Sequence, residues 1–284
     1  MTVSAPDFVA IGHVTLDHFG DTVRPGGAAL YAAVTADRLG LSAAILTSHA
    51  GDFPLDLVPP RIEVVTVPAG ETTVFEHGEH EGERVMRVRA AAAALSADDL
   101  PEDWKDTPLV MLAPVLAEVD PLLSMAFADA TVSAQAQGWL RVVEPDGAVG
   151  SVAWEPGYLL ARLQTLFLSD RDVLGQEAAM LEWLQRVPVG VVTAGRHGAL
   201  LYVNGERYEV RPRAAREVDT TGAGDVFAAT FLVRYQEDGN PWTAAEAAAC
   251  AAALSIEGEG WSAVPDAAAL ERSLAEYRRD DTTS

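Results

Sequence analysis

Residues 217–233 constrain the fold most, because an extended approach there passes through two glycines directly into a helix. Gly222 and Gly224 lie one residue apart, so backbone amides can converge without a Cβ between them. The helix that follows adds free N–H groups and the positive end of its dipole. This pattern predicts an anion site with Asp225 in the first helical turn. The alternative interpretation of Asp225 is a helix-start carboxylate that only offsets the dipole.

An anion site beside an ionised carboxylate suits phosphoryl transfer. The amides can hold the phosphoryl group while the carboxylate accepts a proton from an attacking hydroxyl. Lys105 is the only lysine, and its neighbours Asp103 and Asp106 indicate a solvated loop. A P-loop needs a lysine after its glycines, and pyridoxal-phosphate and aldolase enzymes need a Schiff-base lysine. These three classes are therefore excluded.

The composition is that of a globular protein. With 284 residues, 49% of them hydrophobic, the chain can build one large α/β domain or two small ones. No apolar run is long enough to span a bilayer, and residues 1–6 lack a signal pattern, so we expect a cytoplasmic protein without a membrane partner. The formal charge of −22 argues against nucleic-acid binding. It also repels nucleotides, so a nucleotide site must use local amides, a metal ion and a few arginines.

Short apolar runs alternate with helix-forming segments, which is typical of a mostly parallel sheet covered on both faces. The predicted strands are residues 7–11, 43–48, 61–67, 108–113, 165–168 and 189–193. The predicted helices are residues 28–40, 121–128, 176–186, 241–253 and 266–279. Asn204 and Gly205 predict a hairpin turn near the end of the sheet.

Residues 72–90 interrupt this alternation. Residues 72–77 and 84–89 have strand character, and a polar turn around residues 78–82 joins them without a helix between. The two strands should therefore pair as an antiparallel hairpin appended to the α/β unit. His77 and His80 suggest a metal site, but no third ligand is evident, which favours an ordinary polar role.

The motif around Asp225 resembles the C-terminal signature of the ribokinase-like (PfkB) carbohydrate kinases. That signature is an acidic-Thr-x-Gly-Ala-Gly-Asp-x-Phe run before a helix. The matching residues are Asp219, Thr221, Gly222, Ala223, Gly224, Asp225 and Phe227. The resemblance implies that Asp225 is the catalytic base and that the amides of Gly222, Ala223 and Gly224 form the anion hole.

The resemblance extends from Asp7 to about Val264 and implies the fold class. We expect an α/β protein with a three-layer αβα ribokinase-like fold, a mostly parallel central sheet and a small β-strand lid. Residues 1–284 would form a single kinase domain, with lid strands inserted at about 14–24 and 72–90. In the family the lid closes over the sugar and often packs against a second subunit. A monomer and a lid-mediated homodimer are therefore both open.

The acceptor site is implied for the N-terminal part. Residues 12–17 look like the family segment in which an aspartate, here Asp17 beyond the first strand, binds substrate hydroxyls. A loop or capping carboxylate is the alternative. Gly26 and Gly27 precede an alanine-rich helix and resemble the Gly-Gly substrate motif. Tyr31 stands where many members carry a sugar-binding asparagine, which weakens ribose as the acceptor and indicates a different polyol.

The nucleotide side is implied for two loops and the central motif. A Thr-x-Gly-x-x-Gly spacing resembles the loop that admits the ATP phosphates and base, although ordinary turn chemistry gives the same pattern. Its residues are Thr193, Gly195 and Gly198. Ser169 and Asp172 stand where members commonly show Asn-x-x-Glu near Mg²⁺ and phosphate, with a helix cap as an equal alternative. We expect ATP and Mg²⁺ as cofactors, with Thr221 on the nucleotide side and Asp172 toward the metal. A monovalent cation stays open.

These features predict an ATP-dependent kinase that transfers the γ-phosphoryl group to a hydroxyl of a small carbohydrate or polyol. Residues 12–17, Tyr31, residues 137–141 and Ser169 look most like the inositol-kinase-like branch of the family. myo-Inositol is therefore a candidate acceptor, with fructose, other sugars and nucleosides also open. The role of residues 137–141 does not follow from their sequence.

Two alternatives stand beside this prediction. One is a nucleoside kinase of the same family. The other is a non-catalytic sugar- or nucleotide-binding regulator on the same scaffold, against which the intact Asp225 argues. A dinucleotide-binding dehydrogenase that uses Gly222 and Gly224 is disfavoured, because Phe227 fills the third glycine position of that motif.

Overall fold

The computed structural model describes residues 5–80 and 83–281. The first half of the chain contains β1 (Phe8–Ile11), β2 (Thr15–Phe19), β3 (Thr22–Gly26), α1 (Ala28–Arg38), β4 (Ala43–His49), β5 (Glu63–Pro68), β6 (Thr73–His80), β7 (Glu83–Ala90), β8 (Leu109–Leu112) and β9 (Thr131–Gln135). The second half contains β10 (Arg141–Val143), β11 (Val149–Ser151), β12 (Thr165–Ser169), α2 (Glu177–Leu184), β13 (Val189–Thr193), β14 (Ala199–Val203), β15 (Glu206–Val210), α3 (Ala223–Asp238), α4 (Pro241–Ser255) and α5 (Ala267–Asp281).

A nine-stranded sheet forms the centre of the molecule, in the order β15-β14-β13-β12-β9-β8-β1-β4-β5. All neighbours are parallel except β13–β14 and β14–β15, which form the antiparallel edge. The mostly parallel sheet and the hairpin at Asn204–Gly205 are thereby confirmed. Because parallel strands end at one edge of the sheet, the C-terminal ends of β9, β12 and β13 bring side chains together there.

The central strand β1 shows why this sheet must be covered on both faces. All four of its residues are fully buried, since apolar side chains point alternately to the two faces. Helices α1, α3, α4 and α5 pack on one face. The other face is covered by α2, short 3₁₀ turns and four tryptophans: Trp104, Trp139, Trp154 and Trp183. The three-layer arrangement is confirmed, with one α-helix in the second outer layer.

A second sheet of four strands, in the order β3-β2-β6-β7, is called the lid sheet below. Strands β2 and β3 pair antiparallel, β2 and β6 parallel, and β6 and β7 antiparallel. The hairpin predicted within residues 72–90 is thus confirmed, and both of its strands are longer than predicted. The backbone of Val88 in β7 donates a hydrogen bond to Gly147 O at 2.8 Å, which ties this strand to the segment before β11.

Several elements differ from the sequence prediction, among them the short strands β10 and β11, which were not predicted. The helix predicted for residues 121–128 is a short 3₁₀ helix, Pro121–Ala126, capped by the Asp120 side chain. Strand β9 was not predicted, because its residues are mostly small or polar although four of the five are buried. The other four predicted helices correspond to α1, α2, α4 and α5. Within the described ranges, none of the helices has the length and apolar character required to cross a bilayer.

Candidate active site

The predicted anion site lies at the start of α3, which Gly222 caps in a left-handed conformation with φ 77°. A Cβ on Gly222 would also collide with the ring of Tyr31, so this position requires glycine for two reasons. Val226 N donates to Gly222 O at 2.9 Å and makes the first helical hydrogen bond. The amides of residues 223–225 therefore precede the helical ladder.

The start of the helix faces open space. Apart from its chain neighbours and the backbone of α3 itself, no atom of the described residues lies within 4 Å of the position that a Cβ on Gly224 would occupy. Ala223 N donates to Thr220 O over a long 3.4 Å, which leaves much of its hydrogen-bonding capacity unused. Together with the helix dipole, these amides can bind an anion.

Asp225 lies in this first helical turn and is partly buried. Its Oδ1 accepts a hydrogen bond of 2.8 Å from Gln135 Nε2, at the C-terminal end of β9. Desolvation raises the pKa of Asp225 to about 7. The hydrogen bond from Gln135 and the positive charge of Arg141 lower this pKa, and the charges of Asp172 and Asp17 raise it. A carboxyl group with this pKa can exchange a proton near neutral pH.

Asp219 joins the start of α3 to the lid sheet. Its Oδ1 accepts from Thr221 N at 2.9 Å, and its Oδ2 accepts from Gly260 N at 3.1 Å and from Arg24 Nη1 at 3.1 Å. Arg24, on β3, also contacts Glu259 Oε2 at 3.3 Å. Burial raises the pKa of Asp219. The hydrogen bonds from Thr221 and Gly260 and the charge of Arg24 lower it by more, so this pKa lies below its ordinary value.

Asp17 lies on β2 of the lid sheet, inside the segment of about 14–24 expected to carry a lid strand, and not in the loop of the alternative interpretation. The chain starts a new strand at Thr15 because that segment pairs with β3 and β6. Thr15 Oγ1 donates to Asp17 Oδ1 at 3.0 Å. A Cβ on Gly26 would collide with Asp17 Oδ2, so the carboxylate lies directly over this glycine. Asp17 is 6% exposed, and its charge acts on both Asp225 and Tyr31.

His77 faces the same side of the lid sheet as Asp17. Its Nε2 lies 3.8 Å from Asp17 Oδ1 and has no hydrogen-bond partner among the described residues. The ring stacks on Phe19 with 4.5 Å between centroids, which fixes its orientation. The side chain of His80, the second histidine of the metal hypothesis, lies outside the described residues.

Gly27 and Tyr31 lie at the start of α1. Gly27 is the residue before α1, with φ 102°, and a Cβ there would collide with the carbonyl oxygen of His13. Tyr31 is 3% exposed and packs its ring against the Gly222 turn. Burial and the charges of Asp219 and Asp225 raise the pKa of Tyr31, so its hydroxyl stays protonated. The tyrosine ring therefore packs against the anion-site turn and holds it in place.

Ser169 and Asp172 form a local turn at the end of β12. Ser169 Oγ donates to Asp172 Oδ2 at 2.7 Å and accepts from Asp172 N at 3.1 Å. The helix-cap interpretation is wrong, because α2 begins only at Glu177 and Gln176 precedes it. Thr193 is the register partner of Ser169 on β13, so both lie at the same edge of the sheet.

The loop after β13 is held together by its own backbone. Ala194 N donates to Gly198 O at 2.8 Å, and Gly195 has φ 53°. Gly198 has φ 86°, and a Cβ there would collide with Val210 O. Loop geometry thus accounts for both glycines. Contact of this loop with ATP stays a prediction.

The donors available for a metal ion are few. Among the residues that the structure describes, no three His, Cys, Asp or Glu side chains come together as a metal site. Mg²⁺ bound with nucleotide phosphates keeps several waters and needs only one or two protein carboxylates. Asp172, whose charge acts on Asp225, fits such a role.

Two residues of the site were missed from the sequence, Gln135 and Arg24, whereas His77 and the segment of Arg141 were noted there without a role in this site. Arg141 Nη2 donates to Gln137 Oε1 at 2.8 Å, and its charge acts on Asp225. Gly138 permits the tight turn between them, since a Cβ there would collide with Pro114. Residues 137–141 therefore bring a guanidinium toward the start of α3. Their spacing in the sequence gives no sign of this, because the contacts are made across distant segments.

Solved structures share this architecture. A pyrophosphate-dependent kinase of the ribokinase family, solved as a sulfate complex, has a TM-score of 0.78 at 22% identity and covers 95% of this chain and 99% of its own. A ribokinase from Thermotoga maritima has a TM-score of 0.74 at 21% identity over 95% of this chain and 99% of its own. The fold is thus that of the ribokinase family, an α/β class with a small β-strand lid.

Related sequences fall in one family. The profile of the pfkB family carbohydrate kinases matches residues 166–267. Inositol 3-kinase of Arabidopsis thaliana is 30% identical over 221 residues, 73% of this chain and 60% of that protein. Cytidine kinase of Thermococcus kodakarensis is 25% identical over 263 residues, 81% of this chain and 88% of that protein. The predicted resemblance to the pfkB family, and within it to the inositol-kinase-like branch, is confirmed. The match of this chain spans less than two thirds of the length of the plant relative.

Proposed function

We propose that this protein is an ATP-dependent kinase that phosphorylates a hydroxyl of a small, neutral polyol. The observation that carries the proposal is Asp225. It lies beside the open, amide-rich start of α3, and burial raises the pKa of its carboxyl group to about 7. A base with such a pKa can take a hydroxyl proton while the helix start binds the phosphoryl group.

The reaction needs positioning and electrostatics more than covalent chemistry, because phosphoryl transfer passes through a loose transition state. The acceptor hydroxyl gives its proton to Asp225, its oxygen bonds to the γ-phosphorus, and the bond to the β–γ bridging oxygen breaks so that ADP leaves. The amides of residues 222–224 stabilise charge on the moving group. Asp172 would hold the Mg²⁺ that neutralises charge on the phosphates. Arg141 adds a fixed positive charge near the base.

The acceptor would bind between the lid sheet and the start of α1. Asp17 accepts hydrogen bonds from hydroxyls, and the unpartnered Nε2 of His77, 3.8 Å away, can bond to the same or a neighbouring hydroxyl. Asp17, Asp219 and Asp225 together disfavour an anionic acceptor. The inositol 3-kinase relatives support myo-inositol as the first acceptor to test.

A nucleoside acceptor is the second candidate, supported by the Thermococcus kodakarensis relative described as a cytidine kinase. An acceptor panel of myo-inositol, fructose, ribose and cytidine separates the two. Pyrophosphate belongs in the panel as a second donor, because the structural neighbours include kinases described as pyrophosphate-dependent. ATP binding without acceptor-dependent ADP release would instead favour a regulator.

The proposal is tested with Asp225→Asn. We expect acceptor-dependent ADP release to fall at least about 10³-fold, since general-base catalysis contributes roughly 10²–10⁴-fold and the site is built around this group. ATP binding, measured by calorimetry, should persist. Asp129→Asn, at an exposed carboxylate outside the site, is the matched control and should turn over normally. Near-normal turnover by Asp225→Asn would refute the assignment.

A further inference from the structure

We infer that Gln135 is the positioning residue of the base: it holds the Asp225 carboxylate in one orientation and can hydrogen bond to it both before and after proton transfer. This inference rests on the proposed function, in which Asp225 takes the acceptor proton. It adds a residue from the unpredicted strand β9 to the reaction.

The geometry of Gln135 ties β9 to the anion-site turn. The side chain is 6% exposed, and Nε2 lies 2.8 Å from Asp225 Oδ1 and 3.4 Å from Gly224 O. One amide thus contacts both the carboxylate and the backbone of the turn. With Oδ1 held, Oδ2 is the oxygen that has no hydrogen bond to the protein in the described ranges, and it is free to receive a substrate proton.

The other end of the amide supports a role beyond packing. Gln135 Oε1 is buried and has no hydrogen-bond partner among the described residues. An unpaired buried carbonyl oxygen reduces stability, so it calls for an explanation. Rotating the amide by half a turn places Oε1 where Nε2 stands, and an oxygen there accepts a hydrogen bond from protonated Asp225. The same side chain therefore suits the carboxylate and the carboxylic acid.

The pH dependence of the reaction separates positioning from mere packing. The Gln135 N–H stabilises ionised Asp225 and lowers its pKa, against the desolvation that raises it. The base must be ionised to accept a proton, so activity is lost as pH falls through this pKa. Removing the N–H raises the pKa, and the acidic limb of the rate profile should move to higher pH.

The experiment compares Gln135→Met with wild type by measuring kcat/KM for myo-inositol, or for the acceptor that the panel identifies, between about pH 5.5 and pH 9.5. We expect the acidic limb to move up by about one pH unit, with about a tenfold loss at pH 6 that is recovered in part above pH 9. KM for the acceptor should be unchanged. Gln164→Met is the matched control. Gln164 directly precedes β12, at the end of this strand away from the site, and its Nε2 contacts the Tyr235 hydroxyl at 3.2 Å.

A second measurement keeps the inference separate from the proposed function. The Asp225 carboxyl carbon is titrated by NMR in the free protein, in wild type and in Gln135→Met, or in Gln135→Leu, which also removes the N–H without adding a charge, if the methionine variant does not fold. A higher titration midpoint in the variant supports the contact, even if no acceptor is phosphorylated and the proposed function fails. Kinase activity with an unchanged acidic limb and an unchanged midpoint overturns the inference.

Discussion

Gly222 and Gly224 in the anion-site turn differ in backbone conformation and in the space around them, although only one residue separates them. Gly222 has φ 77° and no room for a Cβ beside Tyr31, whereas Gly224 is helical with open space around it. Gly222→Ala should therefore lower the free energy of unfolding by about 2 kcal/mol or more. Gly224→Ala should leave it unchanged or raise it by about 0.5 kcal/mol, since alanine favours a helix. Urea denaturation measures both changes.

Activity should show the opposite sensitivity at Gly224. A methyl group there would stand at the helix start, where the phosphoryl group approaches the amides, so Gly224→Ala should lose at least about tenfold in kcat/KM for ATP while it stays folded. Full activity in this stable variant would place the phosphoryl group elsewhere.

The residues differ in how far the sequence predicts them. The turn at Gly222–Asp225 is local, so its spacing together with the helix that follows predicts an anion site. Gln135 contacts Asp225 across 90 positions, and Arg24 contacts Asp219 across 195. Each is an ordinary polar residue until the fold brings it to its partner. No local pattern could have identified them.

Arg24 joins the lid sheet to the segment before α3. Arg24 on β3 contacts Asp219 at 3.1 Å and Glu259 at 3.3 Å, and its guanidinium lies 5.4 Å from the centre of the Phe19 ring. Arg24→Met should raise KM for the acceptor about tenfold and increase ATP hydrolysis without transfer, because a looser lid admits water. Stability should fall by about 1–2 kcal/mol, because Asp219, whose side chain is 10% exposed, loses one hydrogen-bond donor and keeps those of Thr221 and Gly260.

ADP release with and without acceptor measures both effects of Arg24→Met. Arg61→Met is the control, because that arginine pairs with Asp37 away from the lid sheet and its side chain is 76% exposed. An unchanged acceptor KM together with an unchanged ratio of hydrolysis to transfer would mean that Arg24 does not hold the lid sheet in its working position.

The helices and strands could be predicted from the sequence where the apolar pattern of a segment matches its burial in the fold. Strands β1 and β8 are continuous apolar runs, and the alanine-rich helices α1 and α4 begin after a glycine and an asparagine. Strand β9 escaped prediction because Ser133 and Gln135 are polar yet buried. Its position between β8 and β12 depends on the order of the sheet, which no single segment encodes.

The formal charge of −22 acts at the scale of the whole molecule. ATP is also anionic, so the long-range field opposes its approach, whereas a neutral polyol is unaffected. The Debye length falls from about 30 Å at 0.01 M salt to about 8 Å at 0.15 M, which screens this repulsion. Raising choline chloride over this range should therefore increase kcat/KM for ATP roughly threefold and leave kcat/KM for the acceptor unchanged. A larger gain in KCl than in choline chloride would reveal a separate requirement for a monovalent cation. A fall in kcat/KM for ATP in choline chloride would contradict the prediction and mean that the positive charges near the site, Arg141 among them, govern association.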